Sequence, residues 1–288
     1  MSRFSFSFRR QTGGGTIPPV TPDQPETPSL SDLVELGILT KPIAEFSNSD
    51  IGTTVLIPYN DPTGKILLNN GNIEFEVVGV NHHTSDAHPQ TITLMTKNVI
   101  RNVAFDAKEP NNQDIDRKNL GNNRWGVSNI RQWLNSSGAA GSWWTAQHEY
   151  DAPPTSDNVS SADGAYADAP GFLAGFSADV LQHFTDITNT TALCTADGGG
   201  SETTVDKVFL PSRTEMGYGK INEIAEGTHL SVRYPDNASK IKNYKSYWMR
   251  GPFYVSNTAF LLYVDNNGSS YYDGAYNSCG IAPIIVIH

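Results

Sequence analysis

The sequence predicts an α+β fold in which two main helices are set among antiparallel strands, preceded by an extended N-terminal anchor and linker. Three observations predict it. Short runs rich in Ile, Val, Leu and Thr recur between "NDPTG" and "NNGN", the pattern of strands joined by turns. Two later stretches carry apolar residues at helical spacing behind a capping serine. The chain then closes on the apolar, β-branched run Ile281 to Ile287, interrupted by Pro283, which belongs inside a core.

Residues 1 to 30 stand apart. Phe4, Phe6 and Phe8 alternate with Ser5 and Ser7, a period of two that sets three rings on one side of an extended strand. The Gly- and Pro-rich "QTGGGTIPPVTPDQPETPSL" follows as a linker, flexible first and stiffer later. An isolated aromatic strand has no core of its own to enter. It reads either as a disordered tail or as a peptide that docks as an added strand on another protein. Residues 31 to 45 hold a short helix, "SDLVELGIL", capped by Ser31 and ended near Gly37, and a connection.

A lasting domain is expected from residue 46 to 288. Strand-like runs "TTVLIPY", "KILLN", "IEFEVVGVN" and "TITLMTKNVI" make its first half β-rich. "GVSNIRQWLNS" then places Ile130, Trp133 and Leu134 at helical spacing behind Ser128, and "SADVLQHFTDI" does the same with Val180, Leu181 and Phe184. Long loops rich in Gly, Asp and Ala surround these helices. "DKVFLPS", "PFYVSN", "FLLYVDNNG" and "IAPIIVI" read as the closing strands.

With 288 residues and 38% of them hydrophobic, the chain can bury one large core or two modest ones. Twenty Lys and Arg against 30 Asp and Glu give a formal charge of -10, which repels phosphate backbones and argues against a nucleic-acid partner. No apolar run reaches the roughly 18 residues of a membrane span, and "MSRFSFSFRRQTGGG" lacks the apolar centre of a secretory signal. Charged residues are only 17%, so the surface is built from neutral polar groups that suit protein or glycan contacts. Cys194 and Cys279 read as two unpaired thiols, since pairing needs Cα atoms within about 7 Å.

Chemistry-bearing motifs are sparse. His82, His83 and His88 read as an exposed loop, because adjacent side chains on a strand point to opposite faces and further ligands at metal spacing are missing. Glu109-Pro110-Asn111 matches the tripeptide with which calcium-dependent lectins hold sugar, but it precedes the first long helix and reads as coincidence. "DNNG" and "SADGAYADAPG" lack the ligand register of an EF-hand. There is no nucleophile elbow, phosphate loop or dinucleotide fingerprint. We therefore expect no catalytic residues, no metal and no cofactor, with Trp125, Trp133, Trp143, Trp144 and Trp248 as packing anchors.

The remaining signal is "YVDNNGSSYYDGAYNSCGIAPIIVI", Tyr263 to Ile287. Asn, Asp, Ser and Gly favour turns, so the stretch reads as display surface attached to an anchor strand. Tyr and Asn supply contact area and adaptable hydrogen bonds at low entropic cost. The candidate ligand-binding residues are Tyr254, Asn257, Tyr263, Asp265, Asn266, Asn267, Tyr271, Tyr272, Asp273, Tyr276 and Asn277.

The ordered segments "RWGVSNIRQWLNS", "GFLAGFSADVLQHF", "ETTVDKVFLPSRTEMGYG", "YWMRGPF" and the late stretch, with "IGTTVLIPYNDPTGKILLNNGNIEFEVVGV" before them, resemble a domain family common in Gram-positive bacteria and their phages. That family is similar to the C-type-lectin-like fold of formylglycine-generating enzymes and of variable phage receptor-binding proteins, and the likeness runs from about residue 46 to the end. It implies a C-type-lectin-like fold and a late loop that forms the ligand face. In some receptor-binding relatives that loop is diversified by adenine-directed mutagenesis, and Asp265, Asn266, Asn267, Ser269, Tyr271, Tyr272, Asp273 and Asn277 fit the resulting palette. Two departures stand out: Gly251 replaces the family's usual Ser in "WMRGP", and Ala282 replaces its usual Arg in "GIAPI". The enzyme branch depends on a cysteine pair, and no second cysteine adjoins Cys279, so oxidase activity is not expected.

These readings converge on a phage virion protein of a tail or head fibre, made in the host cytoplasm and carried on the particle surface. Residues 1 to 10 would hold another virion protein, and the domain would bind a host cell-surface glycan or protein without membrane insertion, with a homotrimer giving avidity. A decoration protein without receptor binding is the alternative.

Overall fold

In the computed structural model, which describes residues 32–254 and 256–288, turn-forming residues divide the chain into short elements. The expected anchor with Phe4, Phe6 and Phe8, the linker and the Ser31 cap lie outside the described residues. The strands are β1 (Thr54–Pro58), β2 (Asn72–Val80), β3 (Ile92–Thr96), β4 (Arg101–Ala104), β5 (Ile187–Ala192), β6 (Ser201–Asp206), β7 (Val208–Phe209), β8 (Tyr247–Pro252), β9 (Phe260–Val264), β10 (Ser270–Gly274), β11 (Ser278–Ile281) and β12 (Ile284–Ile287). The helices are α1 (Asp32–Glu35), α2 (Ile115–Leu120), α3 (Asn129–Leu134) and α4 (Ala178–Leu181). The class is α+β, as expected.

Two five-stranded sheets carry the fold, in the orders β1-β2-β3-β12-β7 and β10-β9-β8-β11-β4, with β5 and β6 as a separate hairpin. Pairing is antiparallel except between β11 and β8. The closing run "IAPIIVI" is therefore two strands. Pro283 offers no N–H to a ladder, and at Pro283 the chain leaves one sheet and enters the other, with Thr96 donating its N–H to the Pro283 carbonyl at 3.0 Å. Residues on both sides, Ile281, Ala282, Ile284, Ile285 and Val286, are fully buried.

Several expectations are corrected. "KILLN" is not a strand: the Asp61 carboxylate accepts the N–H groups of Thr63 and Ile66, holding a turn, and Leu67 is 49% exposed. "PFYVSN" is not one either, since β8 ends at Pro252 after a register shift. The two main helices are short. α3 forms as read, with the Ser128 hydroxyl accepting the Arg131 N–H, but α4 stops after one turn as Thr185 donates to the Val286 carbonyl and joins β12. α2 was not foreseen because it buries no residue and so has no apolar stripe; the Asp114 side chain caps it. Residues 31 to 45 contribute Leu33, Ile38, Leu39 and Ile43 to the same core as the rest. Trp125, Trp133, Trp143 and Trp248 are buried there, and both cysteines are free. Among the described residues no helix is long and apolar enough to cross a membrane.

The core also holds charge. Arg250 of β8 grips Glu215 with two nitrogens, at 2.7 and 3.0 Å, and donates to the carbonyls of Leu210 and Glu226. His83 donates its Nε2–H to Glu215 at 3.1 Å, because an ionised carboxylate can only accept. The expected exposed His82–His83 loop is thus half-buried, and the two rings lie 4.7 Å apart rather than on opposite faces. Burial pushes Glu215 up, but Arg250 and His83 together hold it well below the usual carboxylate range.

Glu226 lies in the same region. Its Oε1 accepts the Ala192 N–H at 2.9 Å, while Oε2 has no partner among the described residues. A Cβ on Gly251 would come within 2.7 Å of both carboxyl oxygens, so the glycine at this position makes room for the buried acid. Burial raises the Glu226 pKa from 4.5 to about 7, with Arg250 opposing and Glu215 adding. A raised folded value means that the folded state holds this proton more tightly, so the contribution to stability is present below pH 4.5 and is lost as pH rises through about 7. Glu226→Gln keeps the Oε1 acceptor and cannot ionise. Urea unfolding at a series of pH values is expected to show wild type losing on the order of 3 kcal/mol across that window relative to Glu226→Gln; parallel curves would show that Glu226 does not titrate there.

Candidate functional site

β9 and β10 form a hairpin in which Tyr263 faces Tyr271 and Leu262 faces Tyr272. Among the described residues β10 is the edge of its sheet, with no neighbour on its outer side. Its turn is tightly determined. Asp265 Oδ1 accepts the N–H groups of Asn267 and Ser269 at 2.9 and 2.7 Å, and Gly268 donates to the Asp265 carbonyl. Gly268 has φ +76°, and a Cβ there would lie 1.8 Å from the Asn237 carbonyl oxygen. The Tyr218 hydroxyl donates to the Gly268 carbonyl from the other side.

The rings form a continuous series from core to surface. Trp248, fully buried, meets Tyr263 edge to face at 6.1 Å, and Tyr263 meets Tyr271 at 5.9 Å. Tyr271 stacks on Tyr272 at 5.4 Å, and Tyr272 stacks on Phe253 at 3.7 Å with the planes 11° apart. Phe253 touches Tyr254 at 4.0 Å, and Phe260 closes on Tyr272 at 5.4 Å. Tyr254 and Tyr271 are 59% and 57% exposed, so two ring faces are open while their neighbours hold them in place. Offset and edge contacts of this kind add to plain area burial. Burial pushes the Tyr263 hydroxyl up to about 12, so it remains neutral.

The predicted residues divide accordingly. Tyr254, Tyr263, Tyr271 and Tyr272 are brought together, with Asp265, Asn266 and Asn267 in the adjoining turn. The expected late loop is mostly strand: Tyr271, Tyr272 and Asp273 lie on β10. Asn257 is committed internally, accepting from Ala259 and Phe260 and donating to Asp116. Asp273 and Asn277 bond to each other, and Tyr276 lies under the Lys108 ammonium at 4.6 Å. Phe253 and Phe260 were missed; for Phe260 the visible signal was the ring-rich pairing of "FLLYV" with "SYYDG" across a D-N-N-G turn, and Phe253 had none.

Other chemistry-bearing groups are engaged in bonds of the fold. Glu109 of the Glu-Pro-Asn tripeptide is fully buried and accepts from the side-chain amides of Asn112 and Asn122, whereas sugar binding through calcium requires a carboxylate at the surface. Asp106, Glu109 and His148 hold their ligand atoms within 4.8 Å of one another, a geometry that suits a cation. Asp106 already accepts backbone N–H groups from Asn122 and Asn129, and burial pushes it well above the usual carboxylate range. Burial likewise pushes the Cys194 and Cys279 thiols up, opposite to what an activated nucleophile needs.

Residues 89–288 match a family model described as "Domain of unknown function (DUF6273)". No curated protein and no solved structure matches the chain. The matched span contains β10, its turn and the whole ring series.

The rigidity of the hairpin rests on Gly268. Gly268→Ala is expected to lower stability by about 2 kcal/mol through strain at a positive φ and contact with Asn237, whereas Asn266→Ala, exposed in the same turn, should change it by less than about 0.5 kcal/mol. Denaturant midpoints of the two variants provide the comparison.

Proposed function

The chain belongs to the DUF6273 family, and from that premise we propose that it is a virion protein of a phage tail or head fibre that binds the host surface through the β9–β10 edge of a C-type-lectin-like domain. The observation that carries this reading is the supported ring series ending in the open faces of Tyr271 and Tyr254. Rings already locked by their neighbours lose little freedom on contact, and preorganisation of this kind favours affinity. Exposed tyrosines beside Asn266 and Asn267 match both the flat faces of sugar rings and the polar-aromatic surfaces of proteins. The net charge of -10 fits a partner other than nucleic acid. Residues 1 to 10 would seat the chain on another virion protein, and a homotrimer would multiply weak single sites.

Binding of the full chain to whole host cells tests the site. The triple variant Tyr271→Ala, Tyr272→Ala, Asn267→Ala is expected to bind at least about tenfold more weakly, as loss of central aromatic contacts does at interfaces. Equal binding would move the contact elsewhere on the domain, and failure of wild type to bind would favour a decoration role. Deleting residues 1 to 10 is expected to leave the domain folded but absent from purified particles; particles that still carry it would rule out that anchor.

A further inference from the structure

Among the described arginines, Arg101 is the one that is buried and has no carboxylate partner. Arg117, Arg124, Arg131, Arg233 and Arg250 each pair with a carboxylate, and Arg213 donates to the Tyr218 carbonyl. Arg101, the first residue of β4, is only 7% exposed and forms no ion pair among the described residues. Its guanidinium donates one bond to the Ala165 carbonyl at 3.3 Å and lies 5.4 Å from the centre of the Trp133 ring, while its Nε has no partner. A buried cation without a counter-charge is costly. Burial pulls its pKa down, with Asp61 only partly opposing, and the Asp61 oxygens already accept from Thr63 and Ile66.

Arg101 lines a cleft of about 380 Å³ together with Lys65 and Tyr166. The Tyr166 side chain is 2% exposed and its hydroxyl has no partner. Its ring is held by stacking on Trp143 at 5.5 Å and by an edge contact with Trp133 at 5.4 Å. A second cleft of about 590 Å³ shares Lys65 and Arg101 and adds Lys245. Neither lysine pairs with a carboxylate among the described residues. Two acids also line the clefts, Asp168 in the first and Asp163 in the second, so the feature that selects a ligand is the buried planar fork rather than bulk positive charge.

We propose that this paired cleft is a binding site for a small anion, a carboxylate or phosphate carried on a molecule of monosaccharide size, held by the Arg101 fork with the Tyr166 hydroxyl as a second donor and Lys65 at the rim. Guanidinium geometry matches both anions through two parallel N–H bonds, and the volume lies in the range of small-ligand sites. β4 and β10 are the opposite edges of one sheet. The cleft is thus separate from the aromatic hairpin and does not rest on the receptor-binding reading.

Isothermal titration of the full chain with glucuronate, glycerol 3-phosphate and glucose tests the assignment. At least one of the two anions is expected to bind saturably while neutral glucose does not, and which anion binds identifies the preferred group. Arg101→Lys retains charge but loses the fork and should weaken binding about tenfold or more. Tyr166→Phe, which retains the stacked ring, and Lys65→Ala, which alters only an exposed side chain, should each weaken it about threefold; these two keep the test decisive if the Arg101 variant does not fold. Absence of binding by both anions, equal binding of glucose, or unchanged affinity in the folded variants would overturn the proposal.

Discussion

The grip of Arg250 on Glu215 is the interaction on which the two-sheet arrangement depends. Arg250 belongs to β8, the middle strand of the sheet that ends in the aromatic hairpin, while Glu215 also receives His83 from just beyond β2 of the other sheet. The same guanidinium satisfies the carbonyls of Leu210 and Glu226, and the Arg250 backbone N–H donates to Pro211. Such a pair is costly to desolvate and tolerable only when its remaining hydrogen bonds are made. Here several chain segments meet at one charge, so the geometry of β8, and through it of β9 and β10, is set by electrostatics as much as by apolar packing.

The hairpin edge and the Arg101 cleft illustrate two ways of presenting chemistry from one sheet. At β10, aromatic rings support one another outward from the buried Trp248, so the exposed rings are held from the core. At β4, a single guanidinium is sunk beside Trp133 and a tyrosine hydroxyl is fixed by stacking. The first arrangement suits an extended surface, the second a small group reached through an open cleft.

What could be read from the sequence follows from where the determining interactions lie. α3 was legible because a serine cap and an apolar stripe are both local, and Tyr271 and Tyr272 stood out because they adjoin a turn-rich stretch. α2 was illegible because, although Asp114 is a favourable cap, none of its residues is fully buried and no apolar stripe marks a face. β5 and β6 were hidden because inward positions hold polar Asn189, Thr191 and Thr204 instead of an apolar alternation. "KILLN" misled because the nearby Asp61 carboxylate takes the Ile66 N–H and holds a turn. Phe253 joins Tyr272 only through the folded sheet, and the isolation of Arg101 is a property of its surroundings, which no spacing rule encodes.

Pro283 has a consequence for how the chain reaches this state. β11 lies between β8 and β4, and β12 lies between β3 and β7, so residues 278–287 supply an interior strand to each sheet within a stretch of ten residues. Each of those strands must find partners far away in the chain, Arg101 to Ala104 in one case and Ile92 to Met95 in the other. Contacts of such long sequence separation are slow to form. While the protein is being synthesised, neither sheet can therefore be completed before this one short segment has left the ribosome.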